Sequence, residues 1–160
     1  MRIVLQRVAS AEVRSGGEVV GAIGHGYLLL VGVEEGDTPA DAVRMAAKVA
    51  AVRLFPEGER PFHLTLAQVG GSALVVSQFT LMGDVRRGNR PSWAMAARPE
   101  VAEPLVAAVG DALRAAGIPV RTGRFGHHMD VALVNDGPVT LVLESALLSA
   151  GPGRDRRPGV

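Results

Sequence analysis

A polar tetrapeptide closes an otherwise apolar strand and is the first place in the sequence where chemistry could occur. Ser77, Gln78, Phe79 and Thr80 follow the apolar residues 73–76. In a regular strand the hydroxyls of Ser77 and Thr80 would point to opposite faces, so both can line one pocket only if the strand ends or bulges. The tetrapeptide is therefore predicted to mark a strand terminus. Ordinary cross-strand hydrogen bonding is the alternative.

A hydroxyl nucleophile in this tetrapeptide would need a positioned general base. The candidate bases are the four histidines of the chain: His25, His63, His127 and His128. Asp130 or Asp136 could orient one of them, but the chain has no G-x-S-x-G elbow to present a serine at a sharp turn. A Ser/His hydrolase therefore stays an alternative without a defined triad.

Metal chemistry has little support in the pattern of ligand-type residues. The chain has no cysteine, and the neighbouring His127 and His128, if they lie on a strand, would face opposite sides and could not chelate one ion. Neither H-x-x-x-H nor H-E-x-x-H spacing occurs. We predict no metal site and no cofactor, and we expect activity to survive chelation.

A second polar island interrupts the apolar segments near the end of the chain. In it, Asp136-Gly137-Pro138 carries a strong turn signal, and an X-Pro bond is the one place where a cis peptide costs little. An ordinary hairpin turn is the alternative to a functional element. Two polar islands within apolar strands favour a site more than either does alone.

The basic residues are almost all arginines, and three of them fall in one loop. Of the 17 basic residues only Lys48 is a lysine, and the 16 acidic residues nearly cancel their charge. Arg86, Arg87 and Arg90 lie within five positions of each other, and guanidinium groups suit bidentate contact with phosphate. This loop is a candidate for nucleic-acid contact, and a general compositional bias is the alternative.

The elements that position these residues follow from hydrophobic periodicity and turn signals. Residues 2–13 and 18–20 flank Gly16-Gly17 and predict a β-hairpin, and the continuous apolar run from Tyr27 predicts a central strand. One helix is predicted from Pro39 to about residue 54, because Asp37-Thr38-Pro39 is a start signal with Asp or Thr as the N-cap. A second is predicted over residues 99–116. Further strands are predicted at residues 73–81, 120–125, 129–135 and 139–144, the last two joined by the Asp136-Gly137-Pro138 turn. The fold class is α/β, with two main helices on a mixed, barrel-like sheet.

The length of 160 residues, 48% of them hydrophobic, allows one sizeable core and no second ordinary domain. We expect one domain over residues 1–146 and a disordered tail rich in Gly, Pro and Arg over residues 147–160. The longest apolar stretch, residues 27–31, is far below the roughly 20 residues that a membrane-spanning helix needs. A cytoplasmic location without a membrane partner is therefore expected.

Five motifs occur in register over about residues 1–145. They are Gln6-Arg7-Val8, Ser77-Gln78-Phe79-Thr80-Leu81, Gly88-Asn89-Arg90-Pro91-Ser92, Thr122-Gly123-x-Phe125-Gly126-x-x-Met129 and Asn135-Asp136-Gly137-Pro138-Val139-Thr140. With these motifs the sequence resembles the D-aminoacyl-tRNA deacylases (the DTD family, D-Tyr-tRNA(Tyr) deacylases). It departs from the family pattern at Phe62-His63, Trp93 and His127-His128.

The resemblance implies an enzyme of translation quality control, which hydrolyses the ester between a D-amino acid and the 3′-terminal adenosine of tRNA. Ser77, Gln78, Phe79 and Thr80 would line the pocket, and N–H groups near Phe79 and Thr80 would polarise the ester carbonyl. Met129 would contact the substrate. Since no side-chain base is clearly placed, the ribose 2′-hydroxyl of the substrate is expected to assist hydrolysis.

The resemblance also implies a homodimer that proofreads by rejection. A cis Gly137-Pro138 pair would enter the partner subunit's pocket and exclude an L side chain, whereas achiral glycine could enter. Arg7 is the candidate residue for supporting that turn, and Arg86, Arg87 and Arg90 are the candidates for binding tRNA phosphates. A non-catalytic RNA-binding module on the same fold is a further alternative. Deacylation of D-Tyr-tRNA against L-Tyr-tRNA separates these hypotheses.

Overall fold

A mixed β-sheet with helices packed against it forms the part of the chain that the computed structural model describes, residues 1–149. The strands are β1 (Arg2–Ser15), β2 (Glu18–Ile23), β3 (Gly26–Gly32), β4 (Arg53–Glu57), β5 (Arg60–Thr65), β6 (Ser72–Ser77), β7 (Val120–Thr122) and β8 (Asp130–Glu144). The helices are α1 (Pro39–Ala51), α2 (Pro99–Ala115) and α3 (Ser145–Ser149), and a 3₁₀ turn covers Phe79–Met82.

The N-terminal hairpin is confirmed. Strands β1 and β2 pair antiparallel from Ser15↔Glu18 to Ala11↔Ile23. Gly16 and Gly17 make the turn with φ of +61° and +84°, a region that costs glycine nothing because it has no Cβ. Arg7 lies in the middle of β1, outside the part that pairs with β2, and is opposite Tyr27 of β3.

The sheet has the strand order β2-β1-β3-β6-β7, and β8 pairs with β1. Strand β3 lies between β1 and β6, which confirms the predicted central strand. The pairs β3/β6 and β6/β7 are parallel, and parallel neighbours need long crossover connections. The segments that carry α1 and α2 supply those crossovers.

The sheet is so strongly curved that β2 and β7, the two ends of this strand order, lie against each other. This confirms the mixed, barrel-like architecture. Gly21 of β2 lies so close to β7 that a Cβ there would come within 2.6 Å of the Thr122 carbonyl oxygen. Only a glycine allows this close approach of two backbones.

Helix α1 begins where the start signal predicts. Thr38 is the N-cap, its hydroxyl and the Asp41 carboxylate form a capping box, and Pro39 occupies the first turn. The predicted end at residue 54 is wrong, because the helix ends at Ala51 and residues 53–57 form β4, which pairs with β5. This two-stranded hairpin has no counterpart in the prediction. Helix α2 agrees with prediction and is followed by Gly117 at φ +80°.

Successive side chains of the central strands belong to two separate hydrophobic clusters. Tyr27 and Leu29 of β3 pack in the larger cluster with α1 and α2, and Leu28 packs in the smaller one with Leu74 of β6. Successive side chains of a strand point to opposite faces, so the larger cluster fills the space between sheet and helices. The smaller one fills the inside of the curled sheet.

The predicted hairpin turn at Asp136-Gly137-Pro138 is wrong. Residues 130–144 form one strand, β8, which stays antiparallel to β1 on both sides of this tripeptide, from Arg14↔Asp130 to Arg2↔Glu144. The register passes from Val8↔Asn135 to Gln6↔Thr140, so residues 136–139 bulge out opposite Arg7. A true hairpin would have reversed the chain and paired its two arms with each other.

Helix α3 continues the described chain beyond residue 146, to Ser149. The N-terminal amino group of Met1 is buried against it and donates a hydrogen bond to Ser145 Oγ at 2.7 Å, while it forms an ion pair with Asp37. Residues 150–160 of the tail that we expect to be disordered lie outside the described residues. Within residues 1–149 no helix has the length and apolar character needed to cross a membrane.

Candidate functional site

An open cleft of about 600 Å³ lies where β3 and β6 end, between α2 and the turn that joins β7 to β8. It is mostly apolar, and its polar side chains come from two places, the end of β6 and the β7–β8 turn. The lining residues are Val31, Val33, Val76, Ser77, Gln78, Phe79, Ala96, Ala97, Pro99, Ala102, Val106, Phe125, Gly126, His127, His128, Met129 and Val131.

The polar tetrapeptide forms one wall of the cleft, and its position at a strand terminus is confirmed. Strand β6 ends at Ser77 and the chain then forms the 3₁₀ turn, so the predicted extension of the strand to residue 81 is wrong. The N–H of Gln78 donates to the Val31 carbonyl at 2.8 Å, which is the last hydrogen bond to β3. Ser77, Gln78 and Phe79 line the cleft, while Thr80 lies just beyond it and accepts a hydrogen bond from the Gln78 side-chain amide.

Two adjacent backbone N–H groups, one in this wall and one just beyond it, are left without a protein acceptor within residues 1–149. They belong to Phe79 and Thr80, the first two residues of the 3₁₀ turn. The turn's own hydrogen bonds begin with the N–H of Leu81, which donates to Gln78, and the first N–H groups of any helix lack an internal partner. Such adjacent donors suit an oxygen that acquires negative charge.

The opposite wall comes from the β7–β8 turn. Met129 is fixed there, because the N–H of Arg124 donates to its sulfur at 3.3 Å. The same sulfur would come within 2.6 Å of a Cβ at position 123, where the chain has glycine. Met129, assigned to the substrate by resemblance, therefore lines the same cleft as Ser77.

The two adjacent histidines lie in this turn and not on a strand, which corrects the expectation that they face opposite sides. His127 and His128 both line the cleft. His128 Nε2 is 3.5 Å from Asp130 Oδ1, with both side chains largely exposed. Within the described residues no hydrogen bond joins a histidine to Ser77 or Thr80, so the geometry shows no Ser/His pair.

The bulge of β8 is exposed at Gly137 and Pro138 and is bound by the side chain of Arg7. The Gly137–Pro138 peptide bond is cis, as the resemblance implies. Arg7 Nε donates to the Asp136 carbonyl oxygen at 3.3 Å and lies 3.0 Å from Asp136 Oδ2. Neither Gly137 nor Pro138 lines the cleft of its own chain, and neither does Arg7.

Arg7 is itself positioned by strand β4, which the sequence did not reveal. Only 8% of Arg7 is exposed, and its guanidinium donates to the Leu54 carbonyl oxygen. The guanidinium carbon lies 5.8 Å from the centre of the Phe55 ring, which stacks on Tyr27 at 5.1 Å. Burial raises the pKa of the Tyr27 phenol, and the nearby Arg7 charge opposes that rise in part.

The arginine loop, residues 84–92, carries three arginines, of which one is ion-paired and two are not. Asp84 and Ser92 close the loop through reciprocal backbone hydrogen bonds of 2.9 Å. Arg86 Nε and Nη2 donate to the Asp84 carboxylate at 2.9 and 2.7 Å, and these hydrogen bonds lower the pKa of Asp84 to about 2. Arg87 and Arg90 are exposed and form no ion pair within residues 1–149.

Within residues 1–149 no three or more His, Cys, Asp or Glu side chains are arranged to hold a metal ion.

Two residues that line the cleft were not predicted as site residues. They are Phe125 and Gly126, which the sequence analysis placed in a motif without giving them a role. Their position beside Met129 in that motif was the available signal.

Comparisons with known proteins agree on one family. The sequence profile described as D-Tyr-tRNA(Tyr) deacylase matches residues 4–144. A D-aminoacyl-tRNA deacylase of Chloroflexus aurantiacus is 59% identical over 148 residues, 92% of each chain. One of Thermomicrobium roseum is 56% identical over 94% of this chain and 98% of that one.

Solved structures share the fold. A structure described as c-Myc DNA Unwinding Element Binding Protein superposes with a TM-score of 0.84 at 36% identity, covering 90% of this chain and 98% of that chain. A structure of a probable eukaryotic D-amino acid tRNA deacylase has a TM-score of 0.74 at 16% identity, covering 89% and 97% of the two chains.

Proposed function

This chain belongs to the D-Tyr-tRNA(Tyr) deacylase family, and from that premise we propose how its cleft hydrolyses D-aminoacyl-tRNA. The observation that carries the proposal is the pair of unpartnered N–H groups of Phe79, which lines the cleft, and Thr80, which follows it at the edge of the cleft. Donors fixed in advance where negative charge develops stabilise the transition state of ester hydrolysis.

The reaction needs water, an activated carbonyl and a leaving group. The ester carbonyl oxygen accepts from the N–H groups of Phe79 and Thr80, and water adds to the carbonyl carbon. The tetrahedral intermediate then collapses, the bond to the ribose 3′-oxygen breaks, and the proton released by water ends on that oxygen. The products are tRNA with a free 3′ end and the D-amino acid.

The ribose 2′-hydroxyl of the substrate assists this step. It lies next to the ester by the chemistry of the nucleotide, whereas no histidine hydrogen-bonds Ser77 or Thr80 within the described residues. A group brought by the substrate is already oriented by the bond that is to be cleaved. Ser77, Gln78 and Met129 then serve to position the terminal adenosine and the aminoacyl group.

Selection against L-amino acids comes from the bulge of β8 in a second subunit. Gly137 and Pro138 are exposed and lie outside the cleft of their own chain, yet Arg7 fixes the bulge through Asp136. A rigid, exposed backbone of this kind can fill the part of the partner subunit's cleft that an L side chain would need. A site built this way rejects by steric conflict and accepts D-aminoacyl groups and glycine.

A homodimer is therefore part of the proposal. Strand β8 exposes apolar side chains to solvent, with Val134 58%, Val142 59% and Leu133 37% exposed. Exposed apolar side chains grouped on one strand are typical of an interaction surface. Pairing of two copies through this strand would cover them and bring each bulge to the other subunit.

Contact with the rest of the tRNA comes from the arginine loop. Arg87 and Arg90 carry the main part of this contact, since Arg86 is bound to Asp84.

Because its substrate is an aminoacyl-tRNA, the enzyme acts in the cytoplasm, where it proofreads the products of tRNA aminoacylation.

Release of tyrosine from D-Tyr-tRNA and L-Tyr-tRNA by the full chain tests the proposed function. We expect rapid release from the D substrate and release from the L substrate at the uncatalysed rate. Binding of both tRNAs without release would instead favour a nucleic-acid-binding module. That module is the second candidate because the structural relative at 36% identity is described as a DNA unwinding element binding protein. Covalent labelling of Ser77 by a serine-directed inhibitor would favour a Ser/His hydrolase.

A further inference from the structure

Two exposed aromatic rings form an edge at the rim of the cleft. The rings of Phe79 and Trp93 meet edge to face, with centroids 5.3 Å apart and planes inclined at 69°. Phe79 is 57% exposed and Trp93 is 41% exposed. Phe79 lines the cleft and Trp93 does not, so the indole extends the aromatic surface outward from the rim.

The indole of Trp93 is held in place by the backbone beneath it. Position 83 is a glycine, and a Cβ there would come within 2.7 Å of Trp93 Cζ3. The Trp93 carbonyl accepts from the N–H of Ala96 at 3.0 Å. A ring that is fixed before binding loses little conformational entropy when a flat ligand stacks on it.

Positive charge lies beside this aromatic surface. The arginine loop begins at Asp84, which follows Gly83, and it closes at Ser92, which precedes Trp93. Its two unpaired guanidinium groups, Arg87 and Arg90, therefore belong to a loop whose two ends flank the indole. The Asp84 carboxylate does not cancel them, because it is bound to Arg86.

Exposed aromatic faces next to unpaired guanidinium groups are the combination that binds unpaired nucleotides, with bases on the rings and phosphates at the cations. We propose that the Phe79–Trp93 pair stacks the base of the nucleotide that immediately precedes the terminal adenosine of the tRNA, while Arg87 and Arg90 contact the adjoining phosphates. The inference rests on the proposed function, since a terminal ribose held in the cleft requires the strand to leave across its rim.

The fluorescence of Trp93 measures this site directly, because it is the single tryptophan of the chain. The probe is an uncharged RNA hairpin whose unpaired 3′ end finishes in CCA. We expect saturable quenching of the Trp93 emission. We also expect a hairpin with an abasic residue just before the terminal adenosine to bind at least about fivefold more weakly, the lower bound for removal of one stacked base.

A double-mutant comparison separates stacking from charge. In Trp93→Ala, measured by anisotropy of labelled RNA, the difference in affinity between the intact and abasic hairpins should shrink to what the Phe79 ring alone supplies. If the alanine variant does not fold, Trp93→Leu replaces it, since leucine keeps an apolar side chain against Gly83 but has no ring. The same result is expected for that variant. The matched control, Arg87→Gln with Arg90→Gln, should weaken both hairpins by the same factor.

Three results would overturn the inference. Emission that does not change on RNA binding would remove Trp93 from the contact, and an abasic penalty of equal size in Trp93→Ala would place the base elsewhere. Emission that changes with protein concentration in the absence of RNA would show that a second subunit covers the rings. D-Tyr-tRNA deacylation by the unmodified protein is scored separately, so a failed activity and a failed stacking site are distinguishable.

Discussion

Ser77 and Thr80 are the residues at which the assignment of the nucleophile can be decided. Neither hydroxyl is hydrogen-bonded to a histidine within residues 1–149, so neither has an activating base. We expect Ser77→Ala and Thr80→Ala each to keep substantial deacylation of D-Tyr-tRNA. A tRNA that ends in 2′-deoxyadenosine should lose most of its turnover with the unmodified enzyme.

Single-turnover rates on matched 2′-hydroxyl and 2′-deoxy substrates provide the measurement, and a binding assay serves as the control. A Thr80→Ala protein that folds and binds substrate but has no activity would assign the nucleophile to that hydroxyl.

Gly137 is the residue at which the link between the backbone conformation of the bulge and the selectivity for D-aminoacyl groups can be tested. Its φ is +124°, and a Cβ there would lie 2.9 Å from Arg7 Nη2 and 2.8 Å from Val139 Cγ2. We expect Gly137→Ala to displace the bulge and to lower the ratio of D to L deacylation. The matched control is Gly16→Ala, which has φ +61° but nothing within 4 Å of the new Cβ.

The Gly16 variant carries a backbone penalty of roughly 1–2 kcal/mol, and the Gly137 variant carries a larger one because φ +124° lies outside the left-handed helical region. Urea denaturation measures both penalties. Only the Gly137 variant should alter the ratio of D-Tyr to L-Tyr release. An unchanged ratio in a folded Gly137→Ala protein would separate the bulge from chiral selection.

The arginine loop is the element whose charge is expected to set the salt dependence of tRNA binding. Arg87 and Arg90 have no ion pair within the described residues, whereas Arg86 is bound to Asp84. Replacing Arg87 and Arg90 with Gln should flatten the slope of log affinity against log salt by about one for each phosphate that is no longer neutralised. Arg86→Gln is the internal control and should change the slope less.

The ratio of D to L deacylation should stay constant in all of these variants, because the loop contacts phosphates and not the aminoacyl group. A slope that is unaffected by the double replacement would make the loop an ordinary solvated surface.

At the scale of the whole molecule, activity is expected to require two copies of the chain. Val134 of β8 is 58% exposed, and a glutamate placed there would be buried without a partner in a dimer formed through β8. An uncompensated buried charge costs about 3–5 kcal/mol, so Val134→Glu should shift the protein to monomer and reduce turnover of D-Tyr-tRNA.

Val43 of α1 offers the control, since it is 54% exposed on another surface and Val43→Glu should leave mass and activity unchanged. Light scattering gives the mass at the concentrations of the assay. An active monomer at those concentrations would contradict selection by a partner's bulge.

The sequence by itself determined the features that depend on neighbouring residues. Gly16-Gly17 indicated the hairpin because only glycine adopts positive φ at little cost, and Thr38-Pro39 indicated the start of α1 because cap and first turn are local chemistry. The alternation of faces in a strand indicated that the strand ends or bulges within residues 77–80 if both hydroxyls line one pocket. The motifs around these elements also carried the resemblance to the family, which the comparisons show.

Only the tertiary structure decided which segments pair with each other and which turns they leave between them. The sequence predicts a helix that continues to about residue 54, yet residues 53–57 form β4 because β5 pairs with them. Gly137-Pro138 looks locally like a hairpin turn, yet β1 pairs with the chain on both sides of it and makes it a bulge. His127 and His128 enter one cleft because they lie in the turn between β7 and β8. In each case the deciding factor is which segments pair, or where a turn lies in the folded chain, and the propensity of single residues contains no record of it.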